Sequence, residues 1–148
     1  MPEREPRFSA AEVNLLLHGT EDGAKVLQSI HDTFSVPPER FSIMPSEGHY
    51  KNKIHLLKTA LSSQEAGDLA LHIISLLNSS NRERLSSSLS EYSDEKGNLY
   101  LRLDKQKLCQ GKVSLSETDA IRVRFKPVKR YKPSGNLASY RGLLSSTE

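Results

Sequence analysis

The sequence predicts an α+β domain in which a single mixed or antiparallel sheet carries helices packed on one face. Two patterns lead to this prediction. Stretches with alternating apolar and polar residues indicate half-buried strands, and other stretches have apolar residues at helical spacing. Their order is strand, helix, strand, strand, helix, short helix, strand, strand, and the chain contains no internal repeat. This order favours one sheet with one covered face.

The size and cysteine content of the chain exclude several protein classes. A chain of 148 residues suits one domain and buries enough surface to fold without disulfides or a metal. The single cysteine, Cys109, excludes an internal disulfide and a zinc site built on several cysteines. No apolar run approaches the roughly 20 residues of a membrane helix, and the first residues lack the apolar segment of a signal peptide. We therefore expect a cytoplasmic protein.

Elements in the first half of the chain follow from alternation and capping. Val13, Leu15 and Leu17 predict a strand over residues 11–18, because apolar and polar residues alternate there. Thr20 is the predicted N-cap of a helix over residues 21–33. A short strand is expected to begin at Phe41 and to end at Pro45, since proline lacks a backbone donor.

Further along the chain, residues 53–61 form a predicted strand, and Ser62 and Glu65 match the capping box of a helix. The apolar residues of that helix fall on one stripe: Ala66, Leu69, Ala70, Ile73, Leu76 and Leu77. A short polar helix over residues 82–90 should turn Leu85 and Leu89 inward. Two clearly alternating strands, at residues 99–104 and 120–126, complete the sheet.

Charge is distributed unevenly along the chain. Residues 122–148 contain seven basic side chains and one acid, a local +6, whereas the whole chain carries +3. We expect a disordered N-terminus over residues 1–8, a single domain over 9–127 and a flexible basic tail over 128–148. The basic end is typical of a polyanion partner, although a solubilising tail has the same composition.

Alternation also divides the last two strands into an inner and an outer side. The leucines and the other apolar residues of these strands are expected to face the helices. The opposite side then carries the predicted outer-face residues, which are Tyr100, Arg102, Arg122, Arg124 and Lys126. Guanidinium groups bind phosphates and stack on bases, and a tyrosine ring can stack on an unpaired base. Long charged residues on a strand also prevent aggregation, but the uniform sign favours RNA.

Motifs for other functions are missing. The sequence contains neither a Walker-type glycine loop nor GxGxxG, and its one outer aromatic is too few for an RRM. The five histidines never occur at HxxxH spacing, and no histidine is placed to activate Cys109. We therefore expect no catalytic residue, no metal and no cofactor.

Four segments together resemble a known family. They are TED at 20–22, EGHYKN at 47–52, LYLRLDKQ at 99–106 with Gly111, and DAIRVR at 119–124. They are similar to a family of small archaeal proteins described as RNA-binding and as predicted exosome subunits, with a fold similar to the ribosomal protein that binds 5S rRNA. The resemblance spans roughly residues 12–126 and implies that fold and an RNA-binding function. Tyr50, where phenylalanine is expected, and the tail depart from the family pattern.

Further candidate contacts lie outside the two strands. Asp104 is predicted to cap the turn after its strand, whereas Lys105 and Lys107 are predicted to contact RNA. The loop over residues 46–52 adds His49, Lys51 and Asn52, and the tail adds Lys129, Arg130 and Lys132.

The sequence thus predicts a non-catalytic protein that contacts structured or ribosomal RNA, as an accessory of RNA processing or of exosome-type degradation. RNA and an RNA-processing or exosome-type protein complex are the expected partners, and no membrane is expected. The alternative is a protein-interaction module whose outer sheet face docks an acidic partner subunit.

Overall fold

The computed structural model of the chain describes residues 8–19, 21–47, 53–94, 96–116 and 118–127. The strands are β1 (Phe8–His18), β2 (Ser42–Glu47), β3 (Lys53–Leu61), β4 (Leu99–Asp104) and β5 (Ala120–Pro127). The helices are α1 (Gly23–Phe34), α2 (Ser63–Leu76), α3 (Ser79–Ser87) and α4 (Lys105–Cys109), with short 3-10 turns at Pro38–Arg40 and Leu89–Tyr92.

The strands form one five-stranded antiparallel sheet in the order β2-β3-β1-β5-β4, with helices packed on one side. The predicted α+β fold class is therefore confirmed. Strands β2 and β3 form a hairpin whose register pairs Ser42 with Lys58 and Glu47 with Lys53. The predicted end of β2 at Pro45 is wrong, because the strand continues through this residue to Glu47. An edge strand tolerates proline, since one side of its backbone has no strand to bond.

The described residues fall into two compact units. Unit I comprises the described residues within 1–11, 61–101 and 124–148, and unit II those within 12–60 and 102–123. Both units contain parts of the sheet. No helix among the described residues has the length and apolar content needed to cross a membrane.

In unit I, helix α2 begins with the predicted capping box. The Glu65 amide donates to Ser62 Oγ at 3.3 Å, and the Ser62 amide donates to Glu65 Oε1 at 2.9 Å. The buried stripe of α2 includes Ile74, whereas Leu76 is 43% exposed, so the predicted core position of Leu76 is wrong.

Other core residues of unit I agree with the alternation and helical spacing. Leu85 and Leu89 are buried, as predicted. Phe8 was expected to lie in a disordered N-terminus. It is the first residue of β1 and is buried, and its ring centroid lies 5.1 Å from that of Phe125. Burial of both rings keeps this strand end in the core.

In unit II, β1 buries Val13, Leu15 and Leu17, which confirms the predicted alternation. Helix α1 begins at Gly23, two residues later than predicted. Its N-cap is Asp22, whose Oδ1 accepts a hydrogen bond from the Lys25 amide at 3.2 Å. This later start leaves Glu21 between strand and helix, where its carboxylate is available for the contacts described below.

Candidate nucleic-acid interface

The predicted sidedness of β4 and β5 is confirmed by burial. Leu99, Leu101, Leu103, Ile121, Val123 and Phe125 are all buried. Of the predicted outer-face residues, Tyr100, Arg102 and Arg122 are exposed, and Arg124 and Lys126 are half-buried. Both exposed arginines belong to unit II, while the other three residues belong to unit I.

In unit I, the Tyr100 side chain is held in place by the preceding turn. Its hydroxyl donates to Asp94 Oδ2 at 2.8 Å. Asp94 also accepts hydrogen bonds from the Lys96 amide and from the backbone and side-chain amides of Asn98. Gly97 has a φ of 84°, a left-handed conformation that residues with a side chain rarely adopt, and it thereby permits the tight turn.

Four hydrogen bonds therefore converge on one carboxylate. Burial alone raises the pKa of Asp94, but the bonds from Tyr100, Asn98 and Lys96 outweigh it and lower the pKa below its ordinary value of 3.8. Asp94 thus remains an acceptor at neutral pH, and its bond to Tyr100 restrains an exposed aromatic ring. A restrained ring offers a base a stacking surface at a lower entropic cost.

In unit II, Arg102 and Arg122 line one surface pocket of about 300 Å³. The other lining residues are Leu16, His18, Thr118, Asp119 and Ala120. Within the described part of the chain, no ion pair or side-chain hydrogen bond is recorded for either guanidinium. The pocket therefore combines two cations with one carboxylate and one imidazole.

Lys105 is fully buried beneath this region, which corrects its predicted role as an RNA contact. Its Nζ donates to Leu16 O at 2.7 Å and to Glu21 Oε1 at 2.8 Å, and it lies 2.9 Å from Asp119 Oδ2. The ammonium thus forms two hydrogen bonds and an ion pair with Asp119, all within the fold. Lys105 has no exposed surface for RNA, so its role in this fold is structural.

Glu21 links the end of β1 to Lys105. Its Oε1 accepts from the His18 amide at 2.9 Å, and its own amide donates to His18 O at 2.9 Å. Burial alone raises the pKa of Glu21, but the Lys105 ammonium and the His18 amide outweigh it and lower the pKa below its ordinary value of 4.5. Lys105, Glu21 and Asp119 thus form an ion cluster that we call the buried lysine cluster.

The acids of this cluster, together with His18, are the residues that could hold a metal. Within the described residues, His18, Glu21 and Asp119 bring ligand atoms within 4.8 Å of one another. The Lys105 ammonium already supplies a cation to both carboxylates. A divalent ion would have to share them with that buried charge, so we assign no metal to this cluster.

The sequence offered two signals for the buried lysine cluster. Lys105 follows the leucines of β4 at the same two-residue spacing, which places it on the inner side. Glu21, Lys105 and Asp119 also lie in three of the segments that carry the family resemblance. Neither signal indicates that these three segments meet in the fold.

Asp104 caps helix α4, in which Lys107 lies. Lys107 is exposed, and its amide donates to Asp104 Oδ1 at 2.9 Å, which confirms the predicted capping role of Asp104. Six candidates lie outside the described residues: His49, Lys51, Asn52, Lys129, Arg130 and Lys132.

The chain is similar in sequence to known RNA-binding proteins. A family model described as RNA binding matches residues 10–127. RNA-binding protein PAB1135 from Pyrococcus abyssi is 32% identical over 120 residues, covering 77% of this chain and 78% of that protein.

Solved structures of archaeal proteins share the fold. Protein AF2318 from Archaeoglobus fulgidus superposes with a TM-score of 0.74 at 28% identity, and Mth689 from Methanothermobacter thermautotrophicus with 0.75 at 25%. Each comparison covers 93% of this chain and 98% of the other.

Proposed function

Since this chain belongs to the RNA-binding family whose model spans residues 10–127, we propose that it binds RNA through Arg102 and Arg122. The observation that carries the proposal is the pair of exposed guanidinium groups lining one pocket of unit II. Guanidinium groups form bidentate hydrogen bonds with phosphates and stack on bases. Two such groups at one pocket can therefore hold both parts of a nucleotide.

Further contacts are proposed in unit I, at Lys107 of unit II and beyond the described residues. The Tyr100 ring supplies a stacking surface, and Arg124, Lys126 and Lys107 add positive charge for the RNA backbone. The loop and tail residues predicted from the sequence, namely His49, Lys51, Asn52, Lys129, Arg130 and Lys132, complete the proposed set.

We further propose that the RNA is structured or ribosomal and that the protein acts in the cytoplasm, without catalysis, as an accessory of RNA processing or exosome-type degradation. The family resemblance supports this finer assignment. A crosslinking experiment in cells, followed by sequencing of the attached RNA, tests it. Enrichment of ribosomal RNA or of processing intermediates is expected, and a random sample of cellular RNA would contradict the assignment.

The direct test of RNA binding is a paired charge reversal. Arg102→Glu with Arg122→Glu should reduce affinity for a structured RNA by at least tenfold and make the dependence on salt shallower, since phosphate contacts release counterions. The matched control reverses two exposed lysines of unit II, Lys25→Glu with Lys112→Glu, with the same change in net charge. Equal affinity of both double variants would show that only net charge matters, and that the arginine pair is not the binding site.

The same variants separate RNA from an acidic protein partner. A complex that resists nuclease but is lost with the arginine reversals would favour the docking of an acidic subunit. A complex that nuclease releases would favour RNA.

A further inference from the structure

We propose that the pocket of unit II takes one unpaired guanine base of the bound RNA. This inference rests on the proposed RNA-binding function and assigns a base preference to the same site. The pocket volume of about 300 Å³ is at the lower limit of small-ligand sites, roughly 300–1,000 Å³, so it suits one base better than a longer segment of chain.

The first observation is the fixed carboxylate of Asp119. Its Oδ2 forms an ion pair with the fully buried Lys105 ammonium at 2.9 Å, which restrains the rotation of the group. Its Oδ1 lies 3.9 Å from His18 Nε2, too far for a hydrogen bond, and the side chain is 45% exposed. Asp119 therefore presents to the pocket its Oδ1 and the remaining lone pair of its Oδ2, since a carboxylate oxygen accepts more than one contact. The lysine that holds it cannot itself reach the ligand.

The second observation is the opposite chemistry of the arginines in the same pocket. A guanidinium carries only donors in a planar fork, and Arg102 and Arg122 both line the space that Asp119 lines. The site thus offers acceptors from one residue and donors from two. A ligand that fills it must carry donors on one edge and acceptors on another.

Guanine has this arrangement. Its Watson–Crick edge has two adjacent donors, the N1 and N2 hydrogens, which match a carboxylate, and its O6 and N7 acceptors match an arginine fork. Adenine has one amino donor next to a ring acceptor, and cytosine has the same alternation. Uracil has a single donor between two acceptors. Only guanine places two donors side by side for Asp119 and two acceptors for an arginine.

The carboxylate also excludes the alternative occupant, a phosphate group. A phosphate in the pocket would lie beside Asp119, and two like charges at close range repel. Leu16 supplies apolar surface that suits the face of a base and does not suit a phosphate. We therefore place the base inside the pocket and the phosphates on whichever guanidinium the base leaves available.

The first experiment uses the unchanged protein and RNA hairpins that differ in one loop base, with uracil at every other loop position. The guanine hairpin should bind at least tenfold tighter than the adenine, cytosine and uracil hairpins. Inosine, which lacks the N2 amino group, should bind with intermediate affinity. Equal binding of all the hairpins would overturn the base preference and leave RNA binding intact, whereas no binding of any hairpin would overturn both proposals.

The second experiment changes the acceptor. Asp119→Asn replaces one carboxylate oxygen by an amide donor, so the guanine preference should fall to within twofold while the uracil hairpin keeps its affinity. Asp68→Asn, at an exposed position of α2, is the matched control and should retain the preference. A thermal unfolding curve checks that Asp119→Asn folds. A guanine preference that persists in folded Asp119→Asn would overturn the assignment of Asp119, and the hairpin series decides the inference if that variant does not fold.

Discussion

The Lys105 ammonium lies 2.8 Å from Glu21 Oε1, although the two residues are 84 positions apart in sequence. The bond joins the first residue of α4 to the segment between β1 and α1. Asp119, immediately before β5, lies 2.9 Å from the same ammonium. One buried cation thus contacts chain segments that are distant in sequence within unit II, and it restrains Asp119 at the edge of the pocket.

Removal of that cation should destabilise the fold. Lys105→Met keeps most of the volume but leaves Glu21 and Asp119 facing each other and the Leu16 carbonyl without its donor. We expect a loss of about 2–3 kcal/mol, below the roughly 3–5 kcal/mol for wholly buried pairs, because Asp119 remains partly hydrated. Chemical denaturation at pH 7 measures this loss in the free energy of unfolding.

Lys107→Met is the control for this prediction, because it makes the same replacement two residues later in the same helix at an exposed position. Its stability should stay within about 0.5 kcal/mol of the unchanged protein. Equal losses in the two variants would mean that Lys105 contributes no more than a surface lysine.

Stability should also depend on pH through Glu21. The pKa of this carboxyl is lowered in the folded state from 4.5, so the unfolded chain binds the proton more readily and stability rises with pH. The contribution is complete above pH 4.5 and is lost as the pH falls through the folded pKa. Denaturation curves between pH 3 and pH 7 should show that Glu21→Gln is less stable at neutral pH and approaches the unchanged protein in acid.

The control for the pH series is Glu39→Gln, which neutralises an exposed carboxyl elsewhere in unit II. The difference between the two variants isolates the contribution of Glu21 from that of net charge. A constant gap between Glu21→Gln and the unchanged protein at every pH would contradict the linkage.

The hydrogen bond of the Tyr100 side chain to Asp94 and its proposed stacking on RNA can be tested separately. Tyr100→Phe loses the hydrogen bond to Asp94 and should cost about 1 kcal/mol of stability, with RNA affinity changed less than threefold because the ring remains. Tyr100→Ala also removes the stacking surface and should weaken RNA binding about 5- to 150-fold, from roughly 1–3 kcal/mol per stacked base. Equal affinities of the two variants, measured by titration, would exclude a stacking role.

Local patterns predicted most of the fold. Alternation identified the buried residues of β1, β4 and β5, and the capping box located the start of α2, because both depend on neighbours within a few positions. Pro45 was predicted to end a strand because proline lacks a backbone donor. Its strand lies at the sheet edge, which depends on the order of all five strands and not on neighbouring residues. Thr20 was predicted as the N-cap of α1, whereas Asp22 accepts the capping hydrogen bond from the Lys25 amide.

The site was less predictable, because its assembly depends on contacts distant in sequence. Alternation placed Arg102 and Arg122 on the outer side, but it could not show that they share a pocket with Asp119. Lys105 was predicted to contact RNA because it is positively charged. Its two-residue spacing from Leu103 instead indicates the buried side of the sheet. A buried lysine is rare, and it becomes credible only when its partners are known.

The basic tail provides the last prediction. Residues 128–148 contain four basic side chains, Lys129, Arg130, Lys132 and Arg141, and deleting the segment should weaken binding of all RNAs alike. Each lost phosphate contact should reduce the slope of log affinity against log salt by about 0.7–0.9. The preference for guanine should persist, since the pocket residues remain. Replacing the four basic residues by serine keeps the length and should have the same effect as deletion, whereas an unchanged salt slope in both variants would assign the tail no RNA contact.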